Sequence, residues 1–282
     1  MAVRLVIDSA SDIEYSMAME KGWVFLPITV SFGEEQLKDG IDINASSFYD
    51  RLIESDVMPV TSQITPYVYQ QTFDKIIESG DTPIVITLSS KLSGTYQSAC
   101  VAAENAAAKV YVIDSLNAAL GESLIVEYAD RLVRQGLSPE EIVEKVEEKK
   151  GKIHLLALLD TLEYLKKGGR ISSAVAFAGA LLSIKPVIAV EDGEVKLVGK
   201  ARGSKNGNNL LAEMIRSCGQ IDYDMPYTLA YSGNSDALLK KYVEDSKHLW
   251  AEDADKMPVM RIGATIGTHV GPGAIGVAFF VK

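Results

Sequence analysis

Cysteine is scarce in this chain of 282 residues, which contains only Cys100 and Cys218 and no CxxC pair. Two isolated cysteines provide neither zinc-site spacing nor a disulfide framework, so we expect two small buried hydrophobic side chains in a reducing compartment. Histidine is also rare, and the three histidines are too scattered in the sequence to indicate a metal cluster. We therefore expect no metal and no cofactor.

Long apolar runs are missing as well. Charged residues, Gly or Pro interrupt every apolar stretch before it reaches the roughly 18 residues that a transmembrane helix requires. The N-terminal residues run directly into a strand-like segment and lack the long apolar core of a signal peptide. These two features predict a cytoplasmic location.

Basic residues are fewer than acidic ones. The chain has 28 Lys and Arg residues and 38 Asp and Glu residues, which gives a formal net charge of −10. Proteins that bind nucleic acids or strongly anionic membranes usually do so through clustered Lys and Arg side chains. We therefore expect no nucleic-acid partner. A local basic patch for a protein partner and a transient membrane contact remain compatible with this charge.

Several catalytic signatures are absent, namely the GxSxG elbow, HExxH, the Walker loop and the EF-hand. Gly271-Pro272-Gly273-Ala274-Ile275-Gly276 matches GxGxxG literally, but dinucleotide binding requires those glycines to open a helix. Here the motif runs into the last predicted strand. Asp8 suggests a phosphohydrolase, yet Ala10 occupies the position where a second aspartate is needed. Neither activity is expected.

The pattern of elements predicts an α/β fold with two domains, as the chain length also suggests. Strands and helices alternate through the first half, which is typical of a parallel, Rossmann-like sheet covered by helices. A hairpin around Asp192-Gly193 indicates a mixed α/β sheet in the second half. We place the domains at residues 1–152 and 153–282.

The predicted helices are 46–54, 67–78, 95–108, 119–134, 138–149, 161–166, 172–182, 204–217 and 235–249. The predicted strands are 3–7, 24–30, 83–88, 110–113, 155–159, 186–190, 194–200, 228–231, 259–262 and 276–281, with 36–39 as one arm of a small hairpin. Pro27 interrupts the second strand, which predicts an edge or kinked position. Helix 172–182 is almost uncharged. It is therefore either core or the lining of an apolar tunnel.

Two hydroxyl clusters stand where helices are predicted to begin. Thr61-Ser62 precede a helix with Pro66 at its first position and Thr65 as its cap, and Ser93-Gly94-Thr95 precede the next helix. Ligands of open α/β sheets bind beyond the carboxyl ends of the strands, where helix N-termini offer free amides and a positive dipole end. These clusters predict a carboxylate or phosphate site. The alternative is that each cluster only caps its helix.

His269 lies in a glycine-rich segment, Gly267–Gly273, which we interpret as a loop. A hydrogen bond from the imidazole would complete an anion site, because either ring nitrogen of histidine can act as donor. We expect no functional role for His154, at a strand start, or for His248, on an exposed helix face.

Six separated segments resemble the DegV family across nearly the whole chain. They are "VIDSASDI" at 6–13, "TSQ" at 61–63, "SSKLSGTYQSA" at 89–99, "LKKGGRIS" at 165–172, "IKPVI" at 184–188 and "THVGPGAIG" at 268–276. The family resembles the fatty-acid-binding subunit of bacterial fatty-acid kinase.

This resemblance implies a cytoplasmic protein of phospholipid metabolism that holds one long-chain fatty acid between its domains and performs no chemistry itself. It implies a carboxylate site at Thr61, Ser62, Ser93, Gly94, Thr95 and His269. It also implies an acyl tunnel in the second domain, with Phe177, Leu181 and Ile266 as candidates. Arg170 and Arg202 would dock the ATP-binding kinase subunit that phosphorylates the carboxylate.

Elementary energetics agree with such a ligand. An acyl chain of about 16 carbons gains on the order of 12 kcal/mol when buried, before entropic costs, at about 0.8 kcal/mol per methylene. Each hydrogen bond to the carboxylate adds roughly 1.5–3 kcal/mol before desolvation. Two alternatives remain open at this point. One is an esterase with Ser93 as nucleophile and His269 as base, and the other is a regulatory protein that binds another small anion.

Overall fold

The structure is a computed structural model that describes residues 2–171, 184–250 and 256–282. Its strands are β1 (Val3–Asp8), β2 (Val24–Leu26), β3 (Thr29–Phe32), β4 (Glu35–Lys38), β5 (Val60–Ser62), β6 (Thr82–Thr87), β7 (Tyr111–Asp114), β8 (Ile153–Leu158), β9 (Ile184–Glu191), β10 (Glu194–Arg202), β11 (Tyr227–Tyr231), β12 (Val259–Arg261) and β13 (Ile275–Phe280). Its α-helices are α1 (Tyr15–Lys21), α2 (Ala45–Glu54), α3 (Pro66–Glu78), α4 (Thr95–Glu104), α5 (Ala119–Arg134), α6 (Pro139–Lys150), α7 (Glu163–Lys167), α8 (Ser204–Ser217), α9 (Ala237–Asp245) and α10 (Ala264–Val270). Short 3-10 turns cover Ser9–Ser11 and Lys247–Leu249.

A four-stranded sheet in the order β2-β1-β6-β7 is entirely parallel, as the alternating pattern predicts. Its central strands are buried on both faces, which explains their continuous apolar sequence. The predicted strand 24–30 is split at Pro27 into β2 and β3, because proline cannot donate to a ladder. β2 forms an edge of the parallel sheet, which confirms the predicted edge position.

The second large sheet has six strands in the order β10-β9-β8-β13-β11-β12. Among its described strands only β11 and β12 pair in parallel, so the sheet is mixed, as predicted. Asp192 and Gly193 form the β9–β10 turn with φ angles of 51° and 81°, the conformation that a two-residue hairpin turn requires. The fold class is therefore α/β with one parallel and one mixed sheet.

The hydrophobic core is continuous between the two halves of the chain. Leu5 and Ile7 of β1 belong to the same buried cluster as Ala278 and Phe280 of β13. The division into domains 1–152 and 153–282 therefore stays a prediction.

Cys100 and Cys218 are free thiols and only partly buried, so the expectation of two buried side chains was wrong in degree.

A third, antiparallel sheet of three strands, β4-β3-β5, was not predicted in full. β5 contains Thr61 and Ser62, so their assignment to a helix start was wrong. The helix begins later, at Pro66, and Thr65 caps it by accepting a hydrogen bond from the Val68 amide, as predicted. Thr61 and Ser62 became strand residues because β3, far away in sequence, pairs with them.

Three further predictions differ from the structure. The helix predicted over 95–108 ends at Glu104, and the helix predicted over 235–249 consists of α9 and a 3-10 turn. The glycine-rich segment around His269 contains helix α10 instead of a loop. Position 267 of this helix is occupied by glycine because the Cβ of any other residue would lie 2.6 Å from Phe48 Cε1. The predicted helix 172–182, including Phe177 and Leu181, lies outside the described residues.

In the part of the chain that the structure describes, no helix has the length and apolar character needed to cross a bilayer.

Candidate functional site

A large cavity is lined by residues from both halves of the chain. It encloses about 980 Å³ of empty space including its open mouth. Its apolar lining consists of Ile28, Leu88, Leu92, Ala118, Ala119, Leu120, Leu155, Ala157, Leu159, Leu165, Ile188, Ala189, Val190, Val195, Ile262, Ile266, Val270, Ala274 and Gly276. Among the described residues, its polar lining consists of Thr61, Ser62, Gln63, Ser93, Arg170, Thr265 and His269. The lining thus suits an apolar ligand that also carries a polar group.

β8 shows how the apolar wall arises from sequence. Side chains alternate between the two faces of a strand. Leu155, Ala157 and Leu159 line the cavity, whereas Leu156 and Leu158 pack into the hydrophobic cluster behind the sheet. The small side chain of Ala157, between two leucines, leaves space in the middle of this wall.

The polar lining contains a contact between the two halves of the chain. Thr61 Oγ1 on β5 lies 3.0 Å from His269 Nε2 on α10. Ser93 Oγ lies 3.0 Å from Thr95 Oγ1 and also accepts a hydrogen bond from the Thr95 amide. These hydroxyls and the imidazole are groups that can donate to an anion.

The structure brings most of the predicted carboxylate-binding residues to this cavity. Thr61, Ser62, Ser93 and His269 all line it, while Gly94 and Thr95 are next to Ser93 at the start of α4 without lining it. Of the tunnel candidates, Ile266 lines the cavity, and Phe177 and Leu181 lie outside the described residues. Their roles in binding stay predictions.

Arg170 and Arg202, the two docking candidates, differ in position. Arg170 lines the cavity and is half-buried, whereas Arg202 is exposed at the end of β10. Arg170 Nε donates to the Leu92 carbonyl at 3.2 Å, and Nη1 donates to the Gly168 carbonyl at 2.6 Å. Arg170 therefore links the loop before α4, through Leu92, to Gly168 beside the His269 ring, a position that was not predicted.

α10 is positioned by two buried carboxylates from the first half of the chain. Asp12 Oδ1 accepts a hydrogen bond from the Gly263 amide at 2.8 Å. Asp39 accepts bonds from the Ala264 and Thr265 amides at 3.1 and 3.0 Å. Amides at a helix N-terminus have no partner within the helix, so these carboxylates cap it and orient the helix that carries His269.

The His269 ring is tightly surrounded. A Cβ on Gly168 would lie 2.2 Å from Nδ1, so only glycine leaves room for the ring at this position. Nδ1 is buried and has no hydrogen-bond partner among residues 2–171, 184–250 and 256–282. Burial, and secondarily the positive charge of Arg170, lowers the pKa of His269 to about 4. The imidazole is therefore neutral at neutral pH and offers one donor.

Gln63, the last residue of the "TSQ" segment, lines the cavity although it is not one of the predicted site residues. Its Nε2 donates to Ser98 Oγ at 2.9 Å. Its side chain crosses Gly94 so closely that a Cβ there would lie 2.0 Å from Oε1. Gly94 thus makes room for Gln63 beside Ser93. No local sequence signal distinguishes such an amide from an ordinary surface glutamine.

Ser93 is not arranged as an activated nucleophile. An activated serine needs a hydrogen bond to a histidine whose other nitrogen is held by an acid. Here His269 Nε2 pairs with Thr61 and Ser93 pairs with Thr95, while no acid in the described part of the chain bonds to His269 Nδ1. The arrangement suits anion binding better than ester hydrolysis.

The depressed pKa of His269 predicts a pH-dependent stability. Between about pH 6.5 and 4 the unfolded chain binds a proton at this histidine and the folded chain does not, so stability falls as the pH decreases through this window. In delipidated protein, wild type should lose about 2–3 kcal/mol more than His269→Gln between pH 7 and 4.5. Urea unfolding of both proteins at both pH values measures the difference. Equal losses would contradict the neutral buried imidazole.

Comparisons with known proteins agree over the full length of the chain. The DegV family profile matches residues 2–282. A DegV domain-containing protein from Caldanaerobacter subterraneus is 33% identical over 99% of both chains. A structure described as fatty acid binding of a DegV family protein from Thermus thermophilus covers 100% of both chains at 29% identity, with a TM-score of 0.87. A DegV family protein from Eubacterium eligens loaded with heptadecanoic acid covers 100% of both chains at 26% identity, with a TM-score of 0.84. The chain belongs to the DegV family.

Proposed function

We propose that this protein binds one long-chain fatty acid between its two halves, residues 1–152 and 153–282. The observation that carries the proposal is the cavity lining, in which hydroxyls, an amide, an imidazole and a guanidinium accompany an otherwise apolar surface. The similarity to structures described as fatty acid binding, one of them loaded with heptadecanoic acid, supports it. Thr61, Ser62, Ser93 and His269 contact the carboxylate, and the apolar wall around Ala157 and Ile266 contacts the acyl chain.

Each group has a distinct energetic role in this proposal. The acyl chain supplies most of the affinity, on the order of 12 kcal/mol gross for about 16 carbons. On binding, the Thr61 hydroxyl and the neutral His269 ring give up their hydrogen bond to each other, and both donate, together with Ser93, to the carboxylate and fix its position. Arg170 provides the nearby positive charge that offsets the cost of removing a carboxylate from water.

The protein acts as a carrier that presents the carboxylate to a separate ATP-binding fatty-acid kinase subunit, in phospholipid metabolism. Support comes from the resemblance to the binding subunit of that kinase, and from Ser93 and His269, whose hydrogen bonds go to Thr95 and Thr61 and not to each other. Exposed Arg202 contributes to the docking face, and Arg170 contributes at the cavity itself. Such a carrier works in the cytoplasm, with transient membrane contact when it collects its ligand.

Acyl-phosphate formation tests this proposal. The loaded protein, mixed with the kinase subunit and ATP, should yield acyl-phosphate that hydroxylamine traps as the hydroxamate. Arg202→Glu should lower the rate about 10-fold without changing fatty-acid affinity, because charges on an interface rim act mainly on association. Arg216→Glu, an exposed charge reversal on α8, is the matched control. If the wild-type protein binds fatty acid but no acyl-phosphate forms when the kinase subunit and ATP are added, the presentation role is refuted.

A further inference from the structure

The loop that carries Ser93, between β6 and α4, is organised by a buried serine at its start. Ser89 is 0% exposed. Its carbonyl oxygen accepts the amides of Leu92 at 3.0 Å and of Ser93 at 3.1 Å. Its hydroxyl oxygen accepts the Lys91 amide at 3.1 Å. Ser89 therefore holds the backbone of the loop in the conformation that places Ser93 at the cavity.

The Ser89 hydroxyl also reaches the second half of the chain. Ser89 Oγ donates a hydrogen bond to the Gly193 carbonyl, in the β9–β10 turn, at 2.7 Å. A serine hydroxyl has one hydrogen to donate and can accept further bonds. It therefore bonds to the turn as a donor and to the Lys91 amide as an acceptor at the same time, and it ties the turn to the loop.

The β9–β10 turn packs directly against this loop. A Cβ on Gly193 would lie 2.5 Å from Ser89 Oγ and 3.1 Å from Lys91 Cγ, so glycine is needed for the close approach. Val190 and Val195, on the two strands that the turn joins, line the cavity. The turn thus connects part of the apolar wall to the loop that carries Ser93.

We infer that Ser89 is a positioning residue for the carboxylate site, which holds Ser93 where its hydroxyl can donate to the ligand. This inference rests on the proposed function. Ser89 is not itself one of the residues that line the cavity, so its effect on the ligand passes through Ser93. Hydrogen bonds weaken when distance or direction departs from the optimum. A shift of the loop therefore reduces the contribution of Ser93 even though the Ser93 hydroxyl is retained.

A double-mutant cycle tests the inference. Hexadecanoate affinities of delipidated wild type, Ser89→Ala, Ser93→Ala and the double variant are measured by fluorescence displacement. Ser89→Ala should weaken binding about 5- to 10-fold, the order of one hydrogen bond between neutral groups. In the Ser93→Ala background the same change should have an effect below about twofold, because no hydroxyl is left to position and the two losses do not add.

Controls separate positioning from damage to the cavity. Hexadecanol lacks the carboxylate, so Ser89→Ala should bind it as wild type does. Ser90→Ala changes the neighbouring, exposed serine and keeps the hydrogen bond from its amide to Asp114 Oδ1 at 3.1 Å, so it should bind both ligands as wild type does. If circular dichroism shows that Ser89→Ala is unfolded, Ser89→Cys takes its place in the cycle, since a thiol is a weaker donor and acceptor than a hydroxyl.

Three results would overturn the inference. They are equal losses from the Ser89 change with and without the Ser93 hydroxyl, an equal loss of affinity for hexadecanol, and an unchanged affinity for hexadecanoate. A failure of the proposed function looks different, because wild type itself would then bind no hexadecanoate in the same assay. In that case there is no carboxylate site for Ser89 to position, and the inference is overturned with it.

Discussion

Ala157→Phe is expected to weaken the binding of a 16- or 18-carbon fatty acid by roughly 200-fold. Ala157 lies on β8 with its side chain at the cavity wall, between Leu155 and Leu159. A benzyl ring there displaces about four methylenes of the ligand, and each is worth about 0.8 kcal/mol, so about 3 kcal/mol is lost. The ring enters existing empty space, so we expect the protein to remain folded.

Chain length provides the internal control for this variant. Decanoate needs less of the cavity, so its affinity should change much less than that of hexadecanoate. Ala108→Phe adds the same ring at an exposed position after α4 and should change neither affinity. Fluorescence displacement titrations on delipidated protein measure all of these values. If Ala157→Phe binds every chain length as wild type does, the acyl chain lies elsewhere.

His269→Ala and Ser93→Ala should each weaken hexadecanoate binding by about 10- to 100-fold. Each variant removes a donor to a carboxylate, and hydrogen bonds to charged groups contribute about 1.5–3 kcal/mol. His269 lines the cavity on α10 and Ser93 lines it from the loop before α4. The losses of affinity in the two variants therefore test the contribution of each half of the chain to carboxylate binding. The acyl chain still supplies affinity, and binding should remain measurable.

Hexadecanol separates a head-group effect from damage to the cavity. It has the same apolar chain without the carboxylate, so both variants should bind it nearly as wild type does. His248→Ala, at an exposed position on the 3-10 turn, is the matched histidine control. Equal losses for hexadecanoate and hexadecanol would show that the variants disturb the whole cavity, and the carboxylate assignment would then be wrong.

Much of the fold is predictable because its signals are local. The continuous apolar run of β6, the turn at Asp192-Gly193 and the cap at Thr65 each depend on a few neighbouring residues. The three-stranded sheet is not local in this sense, since β5 is a strand only through its pairing with β3. The helical conformation of α10 is equally difficult to predict. Its Gly267 suggests a loop, but a glycine is needed there because Phe48 and Tyr49, far away in sequence, leave no room for a Cβ.

The residue types of the candidate site follow from the sequence, but their partners do not. Thr61 and His269 are 208 residues apart and meet only in the folded chain. Gly94 leaves room for the Gln63 side chain, and Gly168 leaves room for the His269 ring. The spacing of residues in the sequence does not predict either contact. Arg170 illustrates the same limit, because its sequence context indicated a docking surface and the structure places it at the cavity wall.

Native mass spectrometry of the purified protein, followed by organic extraction and identification of the released molecule, tests the central claim most directly. We expect one long-chain fatty acid per chain, with the mass of the protein falling by that of the lipid after extraction. A protein that carries no lipid and takes up no added hexadecanoate would contradict the account. It would leave the cavity and its hydroxyls as features of the fold alone.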